Sequence, residues 1–287
     1  MKLTITAYST ALFSTWYFIE EFGLLFDGGD GLSAHLLQKA RKIKHAFISH
    51  ADRDHLSGLI QFNQLNARDG FPIIYYPKDS SSFPYMADFA AKFDPHVQGT
   101  VWQPINYGQI VHLNKAVRVR SFRNEHMPFP PEMVKTMGFH LERTKRKLKP
   151  EFLGLAGKEI AQLRKEKGED AITEEVVENI LSYSGDSPVA TDGRFDNTNI
   201  LIHEATFLRI DESVIDHERA NKHSTLEGVL KMVKDTNVQQ LILGHFSSRY
   251  STAEIDSEIK RLVDYFGIKI PVYRIPPGSC IRDILEE

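Results

Sequence analysis

The chain is 287 residues long, 41% hydrophobic and 25% charged, the composition of a globular protein with enough length for a sizeable core. A formal net charge of -3 removes any global electrostatic case for nucleic-acid binding, so such a case would have to be local. No run approaches the roughly 20 apolar residues that span a bilayer, and the single cysteine, Cys280, excludes an intramolecular disulfide and a Cys-x-x-Cys metal site, as expected of a cytoplasmic protein.

In chain order, Leu3–Ala7, Trp16–Glu20 and Gly23–Phe26 are predicted strands, followed by the turn Asp27-Gly28-Gly29-Asp30-Gly31. The apolar N-terminal stretch is interleaved with Thr, Ser and Tyr and runs into Glu20 and Glu21, so it reads as strands and not as a targeting segment. Leu36, Leu37 and Ala40 give helical spacing to Ser33–Lys42, and Ala46–Ser49 is a short apolar strand that stops at His50. A helix over Leu56–Leu65 and strands at Ile73–Tyr76, Ile110–Leu113 and Val117–Phe122 follow. Residues 141–180 differ: Glu142–Lys149 is dense in Arg and Lys, and Gly157–Gly168 is helix-like and polar nearly all round. Strands return at Ile180–Ser184, Ile200–His203, Gln240–Leu243 and Val272–Ile275, and Leu226, Val229, Leu230 and Val233 share one helical face. A single domain over 1–287 is expected, with a charged surface excursion around 141–180.

The chemistry concentrates in His50-Ala51-Asp52-Arg53-Asp54-His55. An apolar strand ends at His50, so His50 and Asp52 point the same way, while Asp54 and His55 fall in the tight connection that follows or in the first turn of the next helix. Two imidazoles and two carboxylates so close together can face two metal ions, and the donor types suit Zn, Mn or Fe. The competing reading is a polar turn in which Asp54 caps the next helix. Other apolar strands also deliver a polar residue: Leu181–Ser184 leads to Asp186, Gln240–Gly244 to His245 and, more weakly, Ser121-Phe122-Arg123-Asn124-Glu125 to His126.

At these residues the sequence resembles the metallo-β-lactamase superfamily, whose signature is His-x-His-x-Asp-His with later His, Asp and His ligands. Within it the resemblance is to the ribonuclease Z branch, the tRNA 3′-processing endonucleases. It rests on Ser184-Gly185-Asp186-Ser187, His203-Glu204-Ala205-Thr206-Phe207, Lys222-His223-Ser224-Thr225 and His245-Phe246-Ser247-Ser248-Arg249-Tyr250. The resemblance implies a four-layer αβ/βα sandwich with metals at one edge. It also implies one ion on His50, Asp52 and His126, a second on Asp54, His55 and His245, and Asp186 bridging them. Asp54 would orient or deprotonate the attacking water, and His223, supported by Glu204, would protonate the leaving oxygen. Lys222, Ser247 and Arg249 are candidate substrate contacts, His203 is structural, and a homodimer is expected.

Three departures from the branch bear on function. Asp52 stands where the signature has histidine, making that site harder and favouring Mn or Fe relative to Zn. The N-terminal Gly-Ser-Gly and Pro-Thr-x-x-Arg elements are absent, and the Gly-Pro-rich arm that grips tRNA is represented only by the basic segment 143–167. The expected function is a metal-dependent phosphodiesterase acting on an RNA or nucleotide phosphodiester, as a ribonuclease Z-like endonuclease. The alternatives are a phosphodiesterase of small or cyclic nucleotides, or a weakly active metal-binding regulatory protein.

Overall fold

A computed structural model describes residues 2–209 and 222–286. The strands are β1 (Ile5–Thr10), β2 (Ser14–Ile19), β3 (Leu24–Phe26), β4 (His45–Phe47), β5 (Ile73–Pro77), β6 (Val101–Ile105), β7 (Ile110–His112), β8 (Val117–Arg123), β9 (Met137–Leu148), β10 (Thr173–Tyr183), β11 (Thr198–Glu204), β12 (Gln240–Gly244), β13 (Val272–Arg274) and β14 (Cys280–Ile281). They form two seven-stranded mixed sheets, ordered β14-β1-β2-β3-β4-β5-β6 and β13-β12-β11-β10-β9-β8-β7.

Three apolar cores follow from the alternation of side chains along buried strands. In β2, Tyr17 and Ile19 enter the core between the sheets, while Trp16 and Phe18 face the opposite way. In β12, Ile242 packs between the sheets, whereas Leu241 and Leu243 meet the helices Leu226–Lys234 and Thr252–Phe266. Strands covered on both faces must be apolar on both, which is why they read as continuous runs. The result is the expected four-layer αβ/βα sandwich. No helix among the described residues is long and apolar enough to cross a membrane.

Several elements differ from their predicted form. The helix expected over Leu56–Leu65 is two helices, Arg53–Leu56 and Leu59–Asn66. Gly58 separates them: a β-carbon there would lie 2.0 Å from the Gly29 carbonyl oxygen, so only glycine lets the two loops close on each other. Ser33–Lys42 is a short α-helix, Leu32–Leu36, continued by 3-10 turns over Leu37–Lys42, with Leu37 at φ +50°. The strand Val101–Ile105 and the helices Ser82–Phe93 and Thr252–Phe266 stand where the sequence reading places no element.

The charged segment is built on strands. β9 and β10 pair from Phe139↔Tyr183 to Leu148↔Thr173, with helices Gly157–Lys167 and Glu169–Ile172 beyond them. Residues 141–180 hold nine Lys and Arg against nine Asp and Glu, so the basic run 143–167 folds against its own counter-charges. Glu178 takes Arg143 at 3.3 Å and Lys145 at 2.5 Å, and Asp170 takes Arg146 at 2.6 Å. A cation already facing a carboxylate releases less from a nucleic-acid backbone, so this arm offers a weaker electrostatic grip than its sequence suggests.

Candidate metal centre

Most of the site residues follow the end of a strand, whereas Asp54 and His55 lie in the helix Arg53–Leu56. β4 and the extended Ile48-Ser49 that follow it deliver His50. β8 leads to Asn124 and His126, β10 to Asp186, β11 ends on Glu204, and β12 leads to His245. The turns after these strands are sharp: Glu125, Gly185 and His245 have φ of +63°, +59° and +60°. At Gly185 a β-carbon would come within 3.0 Å of Asn124, Met137 and Ser49, so glycine is required immediately before Asp186.

These turns bring seven predicted ligands to one point. Ligand atoms of His50, Asp52 and His126 lie within 4.8 Å of one another, as do those of Asp54, His55 and His245. Between the two groups stands Asp186, whose Oδ2 is 3.2 Å from His245 Nε2, 3.3 Å from His55 Nε2 and 3.7 Å from His50 Nε2. All are buried except Asp52, whose side chain is 41% exposed and lies at the mouth of the site.

The hydrogen bonds around the imidazoles determine which nitrogen points inward. Ser49 Oγ donates to Asp27 Oδ2 (2.9 Å), so it accepts from His50 Nδ1 (2.9 Å), and His55 Nδ1 donates to Asp27 Oδ2 (2.7 Å). His126 Nδ1 donates to the Lys222 carbonyl (3.0 Å). Thr206 Oγ1 donates to Glu204 (2.5 Å) and accepts from His245 Nδ1 (2.9 Å). With the proton on Nδ1 in each case, all four rings turn an Nε2 lone pair toward the centre, the arrangement of metal-binding histidines. The Nε2 atoms of His50, His55 and His126 are buried without a protein hydrogen-bond partner. Orphaned buried acceptors of this kind fit divalent ions.

The electrostatics agree. Burial pushes the His126 imidazole down to about 4, assisted by the neighbouring His50, so His126 is neutral and ligand-ready. Burial opposes ionisation of Asp186, yet His245, His55 and His50 outweigh it and hold this carboxyl well below its usual range. Burial likewise opposes a charge on His55, but Asp186, Asp27 and Asp54 raise it well above an ordinary histidine. The carboxylates that favour a proton on His55 favour a divalent cation in its place.

His223 and Glu204 form a second unit beside the ligands. His223 Nδ1 lies 3.0 Å from Glu204 Oε1 and 4.0 Å from Asp186 Oδ2. Burial raises Glu204 while His223 outweighs it, holding Glu204 below the usual carboxylate range. His203, next in sequence, is fully buried and packs edge-on against Phe195 at 5.5 Å, with Nδ1 on the Glu204 carbonyl. Among the predicted substrate contacts, the Arg249 guanidinium lies over the rings of Phe207 and Tyr250, with Nε 3.1 Å from Ser247 Oγ. The Lys222 N–H donates to the His126 carbonyl at 2.8 Å, and its own carbonyl accepts from the His126 ring Nδ1.

Sequence reasoning did not single out Asp27, Thr206 or Asn124 for any role. Asp27 is fully buried at φ +56° and accepts from Ser49 N (2.6 Å), Ser49 Oγ, His55 Nδ1 and the Tyr183 hydroxyl. A signal existed: Gly23–Phe26 is another apolar strand that ends in a polar residue, hidden by the glycine-rich turn after it. Asn124 Nδ2 donates to the Ser184 and Asp186 carbonyls (3.0 and 2.9 Å), so Asn124, on the approach to His126, holds the Asp186 loop. Asp27→Asn is expected to weaken metal binding by roughly 10–100-fold, because the amide turns a donor toward groups that already donate. Equilibrium competition with a chelator, beside a thermal melt, measures this; affinity within twofold of the parent would rule out the orienting role.

No family model matches the chain. Among curated proteins it is similar to tRNase Z TRZ1 of Arabidopsis thaliana, 26% identical over 227 residues that cover 75% of this chain and 77% of that protein. It is also similar to ribonuclease Z of Methanocaldococcus jannaschii, 26% identical over 263 residues, covering 80% and 78%. Among solved structures it resembles the metallo-β-lactamase fold protein YhfI from Bacillus subtilis, with a TM-score of 0.63 at 16% identity, over 98% of this chain and 100% of that one.

Proposed function

We propose, from the premise that this chain is a ribonuclease Z-like protein of the metallo-β-lactamase fold, that it is a metal-dependent phosphodiesterase cleaving RNA by hydrolysis. The observation that carries the reading is the pair of His₂Asp groups sharing Asp186, with four imidazoles presenting Nε2 to a common centre. In this proposal His50, Asp52 and His126 hold one divalent ion, Asp54, His55 and His245 hold the other, and Asp186 lies between. Ions so placed would neutralise phosphate oxygens and lower the pKa of water for in-line attack.

The chain's own groups supply the rest. Asp54 is fixed by the Leu12 N–H on its Oδ2 (2.9 Å) and would orient the attacking water and accept its proton. Glu204 faces the Nδ1 proton of His223, so in the doubly protonated ring the Nε2–H would be the proton delivered to the leaving oxygen. Arg249, steadied over Phe207, and Lys222 beside His126 would meet phosphates flanking the scissile bond. The relatives' name, tRNase Z, points to transfer-RNA precursors as substrate.

Metal identity follows from Asp52. The group of His50, Asp52 and His126 has two imidazoles and one carboxylate, a harder set than the three-histidine site of the family signature, and we infer a preference for Mn or Fe over Zn. Asp52→His should shift retention toward Zn by on the order of tenfold. Elemental analysis after loading from an equimolar Mn/Zn mixture reads this out, and an unchanged ratio would refute the inference. The function itself is tested with precursor tRNA carrying a 3′ trailer, incubated with Mn-, Fe- and Zn-loaded protein. Cleavage at the trailer junction is expected. No cleavage with any metal, while a cyclic nucleotide is hydrolysed, would overturn the endonuclease reading.

A further inference from the structure

The turn between β1 and β2 is only Ala11-Leu12-Phe13, and it is tied to the metal centre at both ends. The Ala11 N–H donates to the carbonyl of Phe246, the residue after His245, at 3.2 Å. The Leu12 N–H donates to Asp54 Oδ2 at 2.9 Å, an atom itself 3.3 Å from His245 Nε2 and 3.6 Å from His55 Nε2. The Phe13 N–H closes the turn on the Thr10 carbonyl at 3.1 Å. Leu12 therefore sits one hydrogen bond away from the ligand cluster.

The residue types are unusual for the place. Leu12 has φ +70°, a left-handed conformation that glycine, asparagine or aspartate adopts with less strain. Leu12 is 67% exposed and Phe13 61%, and neither belongs to any of the three apolar cores. Folding gains nothing from two large apolar groups held in water at a strained turn, and an observed strain beside reactive groups points to a role in function. A phosphodiester bound across the two groups of ligands carries a nucleoside next to the scissile bond, and its base offers a flat face that stacks on aromatic side chains.

We infer that Leu12 and Phe13 form an apolar ledge receiving the nucleobase that flanks the scissile phosphate on the Asp54, His55 and His245 side. They are thus specificity-determining residues, which select a nucleoside diester over a diester lacking a base. The inference rests on the phosphodiesterase reading above, and the closing experiment separates the two. The substrates are thymidine 5′-(p-nitrophenyl) phosphate and methyl p-nitrophenyl phosphate, which share a leaving group and differ in the base. Phe13→Ala should lower the ratio of their kcat/KM values on the order of tenfold, mostly through KM for the nucleotide, and Phe13→Trp should restore it. A ratio unchanged in Phe13→Ala, or a loss that Trp does not restore, would overturn the ledge. In parallel, fluorescence anisotropy follows a labelled trinucleotide and its abasic counterpart on the metal-loaded protein. Phe13→Ala should narrow the difference between the two, and an unaltered difference also overturns the ledge. If the parent protein hydrolyses neither diester, the phosphodiesterase reading fails, and the anisotropy arm still decides the ledge.

Discussion

Asp186→Asn is expected to leave a folded chain that holds at most one divalent ion and turns over diesters at least 10²–10³-fold more slowly. The carboxylate is the point where the two ligand groups meet: one oxygen lies within 3.7 Å of Nε2 atoms from His50, His55 and His245. An amide of the same shape keeps the volume but loses the negative charge that would offset two cations in a buried place. Its backbone is secured independently. Asn124 grips the Asp186 carbonyl, and Gly185 makes the turn, so the loop does not depend on the carboxylate for its course. Elemental analysis, kcat/KM on a diester and a thermal melt together read the outcome. Two ions per chain with turnover within tenfold of the parent would remove Asp186 from the bridging role.

The candidate ligands were legible because of how buried sheets are made. A strand covered on both faces is an unbroken apolar run, so the first polar residue beyond it stands out, as His50, Asp186 and His245 do. What those ligands lean on was less visible. Asp27 and Tyr183 are hydrogen-bonded across the two sheets although they lie far apart in the chain, and no local pattern marks such a partner. β9 was hidden for a related reason. Its Arg and Lys look like a solvated run until β10 supplies Glu178 opposite Arg143 and Glu174 opposite Lys147. The helix Thr252–Phe266 could have been read: Ser251 and Glu254 form a capping box, and Ile255, Ile259 and Leu262 lie on its inward face. Residues 210–221, which link the Thr206 and His223 motifs, lie outside the described residues.

His223→Ala is the change that separates chemistry from metal binding. His126, Asp186 and His223 have ligand atoms within 4.8 Å of one another, so geometry alone would also allow His223 to serve as a ligand. Its hydrogen bond argues for the other role. Nδ1 faces Glu204 Oε1 at 3.0 Å, and Glu204 is itself fixed by the Ser187 N–H at 2.7 Å and by Thr206. Nδ1 is also the atom that faces Asp186, at 4.0 Å, so with its proton held by Glu204 it is not free to coordinate there, and the buried carboxylate favours the doubly protonated ring that a proton donor needs. Turnover of a substrate with a poor alkoxide leaving group should therefore fall about 10²–10⁴-fold, the usual share of a general acid. Two ions should still be found per chain. A p-nitrophenyl diester, whose leaving group needs little protonation, should be spared most of that loss, a contrast that a purely structural defect would not produce. Glu204→Gln should reproduce the pattern more weakly, because the amide can still accept from Nδ1 but cannot stabilise the charged ring. If His223→Ala instead loses an ion, or slows both substrates equally, His223 is a ligand or a structural residue, and the proton must reach the leaving oxygen from elsewhere.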